Sequence, residues 1–277
     1  MENRAIGIFD SGSGGLTVFK AIKKILPDEN LIYFGDFARI PYGTKSQKLV
    51  QQYALEDARF LMQYDVKMIV VACNTASAMA LDFLKANLDI PVIGVVNPGA
   101  RAAVRDTKNN KIGVIGTSAT INSDAYARAL LQIQPDAQIV SNACPLLVPL
   151  VEEGWLDNEI TILTLKTYLK DILKNNIDTL ILGCTHYPLL SETIQKIVGA
   201  QITLIDSGLE TARTVNNILK ENNMYNSGLK KGEAQFYVSD IPQKFEEIAS
   251  RFLGEPLKNV RQVSFEDMNL GIEAVAK

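Results

Sequence analysis

Histidine, tryptophan, cysteine and positive charge are all scarce in this 277-residue chain, which has one histidine, one tryptophan, three cysteines and a formal net charge of -3. Without a basic excess there is no face to neutralise phosphates, so general nucleic-acid binding is disfavoured. No apolar run approaches the roughly 20 residues of a membrane span. The first apolar stretch, residues 5–9, stops at Asp10. It is too short for a signal-peptide core and has no small-residue cleavage site, so a cytoplasmic location is expected. Three cysteines with no CxxC spacing form neither a disulfide framework nor a zinc ribbon. A single histidine leaves a metal short of ligands, and no metal site is expected. The glycine-rich run at residues 10–15 lacks both the P-loop ending and GxGxxG spacing.

What is present is ordinary folded-protein material, 47% hydrophobic and 21% charged. The length favours two compact units. Residues 5–9, 31–34, 67–72, 92–96, 111–115, 138–140, 179–182, 202–205 and 235–238 read as strands. Amphipathic segments lie between them, at 16–26, 46–64, 76–86, 158–174 and 209–222 among others. Strand–helix alternation with apolar strands predicts an α/β fold with mainly parallel sheets, whose ligands bind where strand ends lead into helices. Residues 241–277 suggest no chemistry.

The chain also resembles itself. IGIFDSG at 6–12 is similar to IGVIGTS at 112–118, VVACNT at 70–75 to ILGCTH at 181–186, and VVNPG at 95–99 to LIDSG at 204–208. Three matches in one order, at nearly constant offset, predict two pseudo-symmetric α/β domains with the active site in the cleft between them. The first takes in residues 1–97 plus 208–277 and the second 98–207, the C-terminal helix and strand returning to the first.

The repeat places Cys73 and Cys184 at equivalent strand ends, while Cys144, outside it, reads as structural. A thiol at a helix N-terminus is expected to have a lowered pKa. Two equivalent thiols could form a redox pair, bind a metal or transfer protons. The missing CxxC and scarce histidine weaken the first two. Opposed thiols around one carbon can take a proton from one face and deliver another to the opposite face. Asp10 is either a helix N-cap or a polar group of the site. Pro41-Tyr42-Gly43 is a tight turn offering backbone N–H groups. His186, two residues from Cys184, gains interest by that closeness. Spacing does not decide between Glu152 and Glu153.

FDSGSGG at 9–15, PYG at 41–43, ACNTASA at 72–78, CPLLVPLVEEG at 144–154 and GCTHYPLL at 183–190 resemble the signature blocks of the glutamate racemases, from residue 6 to about 215. Aspartate and hydantoin racemases belong to the same wider group. The resemblance implies that Cys73 and Cys184 are catalytic, Cys73 on the face used for D-glutamate and Cys184 on the face used for L-glutamate. It implies that Asp10, Glu152 and His186 assist them, selecting Glu152 over Glu153. It assigns substrate contacts to Asp10, Ser11, Tyr42, Gly43, Asn74, Thr75, Thr185 and His186; Thr117 and Thr120, in the second-half counterpart of the first loop, are added as further candidates. It further implies glutamate as substrate, no cofactor, neither pyridoxal phosphate nor metal, and a role supplying D-glutamate for peptidoglycan. Some members depend on a cell-wall precursor through an N-terminal extension. Only residues 1–4 precede the first strand here, so activity without a precursor is expected. The rivals are a sister racemase acting on aspartate and a two-lobed small-ligand binding protein. Oligomeric state is open, a homodimer included.

Overall fold

The computed structural model describes residues 2–228 and 231–264. Among these residues ten strands, all paired in parallel, form a six-stranded and a four-stranded sheet. In chain order the first part runs β1 (Ile6–Asp10), α1 (Leu16–Ile25), β2 (Leu31–Gly35), α2 (Gln47–Met62), β3 (Met68–Val71), α3 (Asn74–Asn87), β4 (Val92–Gly94) and α4 (Val96–Asp106). Next come β5 (Lys111–Gly116), α5 (Ser118–Asn122), α6 (Ala125–Ile133), β6 (Gln138–Ala143), α7 (Leu147–Glu152), α8 (Glu159–Leu173), β7 (Thr179–Gly183), α9 (Ser191–Val198) and β8 (Thr203–Asp206). The chain continues through α10 (Ser207–Glu221), β9 (Ala234–Val238), α11 (Pro242–Leu253) and β10 (Arg261–Gln262).

The internal repeat is visible in the strand order. One sheet contains β2-β1-β3-β4 and the other is β6-β5-β7-β8, with β9 and β10 added at the β2 edge of the first. β1 and β7 are buried along their whole length because helices cover both faces. Alternate residues of β1 therefore feed different cores: Ile6 and Ile8 face the cluster under α1 and α10, and Phe9 faces the one under α2 and α3. Helix α10 packs on α1, and β9 pairs with β2, so both lie against the first sheet.

Residues 241–264, which suggested nothing as sequence, include helix α11. It seats Phe245, Ile248, Ala249 and Phe252 in the core shared with α1. The rest of that uninformative stretch, residues 265–277, lies outside the described residues.

Candidate functional site

The carboxyl ends of β1, β3, β5 and β7 converge on a cavity of about 300 Å³, at the small end of ligand-site sizes. Its walls include Ser11, Cys73, Asn74 and Thr75 from loops of the first sheet, and Thr117, Cys184, Thr185 and His186 from loops of the second. Tyr42 and Gly43 form another wall, and Glu152 lies at the end of α7. Two residues of the expected set do not line it. Asp10 is wholly buried behind Ser11 and Gly12, and Thr120 stands behind Thr75 and Thr117.

Cys73 is the N-cap of α3, its sulfur accepting from the Ala76 N–H at 3.5 Å and donating to Ser11 Oγ at 3.6 Å. The expected lowering of its pKa is not found. Burial and the nearby Asp10 push the thiol up to about 12, outweighing the helix N–H and Ser11. The helix-end dipole is a partial charge, and burial outweighs it. Asp10 is itself raised by burial, against the opposing pull of His186. It is no N-cap: its Oδ2 accepts from the Gly12 N–H at 3.0 Å inside the turn, and Oδ1 has no partner among the described residues.

Cys184 sits differently. It leads into a short 3-10 turn, Tyr187–Leu190, instead of a long α-helix. Its charged neighbour is His186, whose Nδ1 lies 3.9 Å from the sulfur and 3.4 Å from Thr185 Oγ1. The ring's other nitrogen meets Glu152 Oε1 at 3.1 Å. Burial opposes a charge on this imidazole, yet its hydrogen bonds to Cys184 and Glu152 prevail and hold its pKa up at about 10. Glu152, not its exposed neighbour Glu153, is therefore the carboxylate that reaches the site. The edge of the His186 ring meets Phe252 of α11 at 5.3 Å between centroids, and Arg251 donates to the Glu152 carbonyl.

Contact between the halves is close. A Cβ at Gly14 would come within 2.3 Å of Thr185 Oγ1 and 2.4 Å of His186 Nδ1, so the glycine is required for the first turn to reach the second loop. The hydroxyls of Thr75, Thr117 and Thr120 lie 3.0–3.2 Å from one another across the seam. Tyr126, which no sequence pattern singled out, donates to Asn74 Oδ1 at 2.7 Å and meets Ser207 Oγ at 2.8 Å. Cys144 is buried with its sulfur near the Asn142 carbonyl and does not reach the cavity. The Tyr42 phenol points away from the cavity into a buried cluster with Asp36 and Asp57. Pro145, Val148 and Pro149 supply an apolar wall. They lie within a block already notable for its sequence, but nothing in it indicated which side chains turn inward.

Residues 6–215 match the family model described as Asp/Glu/Hydantoin racemase. The chain belongs to this family. A glutamate racemase of Geobacter metallireducens is 53% identical over 96% of this chain and 98% of its own. Among solved structures, a glutamate racemase of Bacillus anthracis superposes with a TM-score of 0.92 at 43% identity, covering 95% of this chain and 98% of that one. The glutamate racemase of Francisella tularensis, solved in complex with D-glutamate, gives 0.90 at 44%, covering 96% and 99%. An aspartate racemase homologue of Pyrococcus horikoshii, at 18% identity and a TM-score of 0.58, shares the fold. Cys73 and Cys184 thus stand at equivalent strand ends of a racemase-family fold, and both reach one cavity.

No helix among the described residues is long and apolar enough to cross a membrane. Nor, among those residues, do three or more His, Cys, Asp or Glu side chains gather as a metal-binding group.

Proposed function

We propose that the protein is a glutamate racemase that interconverts the L and D enantiomers by proton transfer between Cys73 and Cys184. The observation that carries this reading is that the two cysteines related by the internal repeat line a single cavity. Its relatives at 53% and 47% identity over nearly their whole length are glutamate racemases, which favours glutamate over aspartate. We read the two sheets as the centres of two units, residues 1–97 with 208–277 and residues 98–207.

In the direction from L to D, the Cys184 sulfur takes the α-proton and the C–H electron pair stays on the α-carbon. The Cys73 S–H then delivers its proton to the opposite face. The sulfurs exchange roles, so the next D-glutamate is deprotonated by Cys73. The state of the free site suits this sequence, because burial and Asp10 keep Cys73 protonated. On the other side, His186 carries positive charge between Cys184 and Glu152. Asp10 serves Cys73; His186, oriented by Glu152, serves Cys184.

Neither lysine nor arginine lines the cavity among the described residues. The two substrate carboxylates are assigned to hydroxyls, amides and backbone N–H groups: Ser11, Asn74, Thr75, Thr117 and Thr185, with the backbone of Tyr42 and Gly43. Charge growing beside an existing carboxylate then depends on donors already aimed at it. We place the reaction in the cytoplasm, as the source of D-glutamate for peptidoglycan.

The test is chiral chromatography of purified protein with D-glutamate, L-glutamate and each aspartate enantiomer in turn. Formation of the opposite glutamate enantiomer, with α-hydrogen drawn from solvent, is the expected result. Faster turnover of aspartate would reassign the substrate, and binding without inversion would leave only a ligand-binding protein.

A further inference from the structure

Behind the cavity wall built from Ile40 to Thr44 lies a buried cluster with too few protons for its contacts. The Tyr42 hydroxyl is 2.5 Å from Asp36 Oδ2 and 2.9 Å from Asp57 Oδ2. All three side chains are essentially excluded from solvent. A phenol carries one proton and can donate it to one carboxylate only. Burial and the two nearby carboxyls raise the phenol's pKa well above its ordinary value, so that proton stays. The second oxygen–oxygen contact therefore needs a proton from the carboxyl side.

Donor counts identify which carboxyl supplies it. Asp36 accepts from Arg39 Nε at 2.6 Å, from Ser239 Oγ at 3.0 Å and from the phenol at its shorter distance. These donors favour the charged form of Asp36 against the burial that raises its pKa. Among the described residues, Asp57 has one other donor, Arg39 Nη2 at 3.0 Å, and it falls on the oxygen away from the phenol. The titratable or charged groups facing Asp57 are Asp36, Arg39, Tyr42 and Glu56. Arg39 is shared among all three carboxyls, since it also bonds Glu56. One guanidinium cannot neutralise three buried or half-buried carboxylates.

We propose that Asp57, held as a neutral acid, donates to Tyr42, which donates to Asp36, and that this proton-sharing clamp positions the substrate-facing backbone of Tyr42 and Gly43. The clamp is tied to the site at both ends. The Asp36 N–H bonds to the Asp10 carbonyl at 3.0 Å. Gly43 packs so tightly on Thr117 that a Cβ would come within 2.9 Å of the threonine Cβ. Loss of the clamp therefore moves a wall shared by both halves. Burial and Asp36 raise the Asp57 pKa well above the carboxylate range, in keeping with the neutral form.

Asp57 is a positioning residue in this account. Its effect on kinetics rests on the racemase reading, but its protonation does not. Asp57→Asn fixes a donor where the acid proton lies, whereas Asp57→Ala removes it. Glutamate KM is expected to rise about tenfold in Asp57→Ala, with kcat changed less. Asp57→Asn should restore KM to near the wild-type value. Thermal midpoints across pH supply a readout independent of substrate. A raised folded pKa gives stability that is complete below the unfolded carboxyl value near ~3.9 and is lost as pH rises through the folded pKa. The midpoint of the wild type should therefore fall relative to Asp57→Asn as pH rises. Two outcomes would overturn the proposal: a KM in Asp57→Asn as high as in Asp57→Ala, or a gap in midpoint that stays constant with pH. The melting comparison keeps its force whether or not glutamate is the substrate.

Discussion

Cys73 and Cys184 stand at equivalent places of the internal repeat, yet their surroundings handle a thiol in different ways. Cys73 caps a 14-residue helix and has the Ser11 hydroxyl and backbone N–H groups beside it, with a buried carboxyl behind. Cys184 precedes a four-residue 3-10 turn and has an imidazole backed by a carboxylate. One side keeps its proton through burial; the other holds an ion pair that supplies charge. A reaction that must run both ways over one carbon does not need matching helpers. On the proposed mechanism it needs each sulfur to gain and lose a proton at working pH, and different environments can balance that requirement.

The largest expected effect is at the sulfurs themselves. Cys73→Ala and Cys184→Ala should each lower racemisation by on the order of 10³-fold or more. Cys144→Ala, outside the repeat and away from the cavity, should retain most turnover. Polarimetry from each enantiomer measures all three. Near-normal turnover in either of the first two would end the equivalence of the halves.

The next effect separates the helpers. His186→Asn should cost about 10²-fold in kcat/KM. Because the equilibrium between enantiomers is unity, that loss is equal in both directions, while kcat and KM separately are free to differ. Stability adds a pH signature. The folded pKa of His186 is raised from 6.5 to about 10, so its contribution is complete below about 6.5 and disappears as pH rises through about 10. The midpoint advantage of the wild type over His186→Asn should shrink across that window in differential scanning calorimetry. A constant advantage would mean that the imidazole is not held protonated.

A smaller effect tests the support given by α11. Phe252→Leu keeps an apolar side chain but removes the edge contact to the His186 ring. It should cost about 1 kcal/mol or less in stability and a few-fold in kcat. Its effect on the proton transfers should follow that of His186→Asn and not that of Asp10→Asn.

The sequence was most legible where a short pattern and a local structure coincide. Apolar strands announced themselves, and the repeat predicted that β1, β3 and β4 would recur as β5, β7 and β8. Cys73 and Cys184 were found because the repeat aligned them. Less legible was anything decided by burial or by approach from a distant segment. The position of Cys73 at a helix end suggested a lowered pKa, but the burial and the nearby Asp10 that outweigh it are properties of the packed site. Tyr42 was read as a substrate contact, yet its phenol turns inward to Asp57, a partner fifteen residues away on α2. Phe252 and Arg251 come from a stretch without any motif, and only the return of α11 places them beside His186 and Glu152. Asp10 and Thr120, expected to touch substrate, do not line the cavity but bond to Gly12, Thr75 and Thr117, which do.

The most direct test of separate helpers for separate thiols is deuterium incorporation in D₂O, started from each enantiomer, for Asp10→Asn and His186→Asn. The account predicts opposite asymmetries. Asp10→Asn should slow the transfer at Cys73, and His186→Asn the transfer at Cys184, so the enantiomer whose wash-in lags should switch between the two variants. Identical impairment of both transfers in both variants would contradict it.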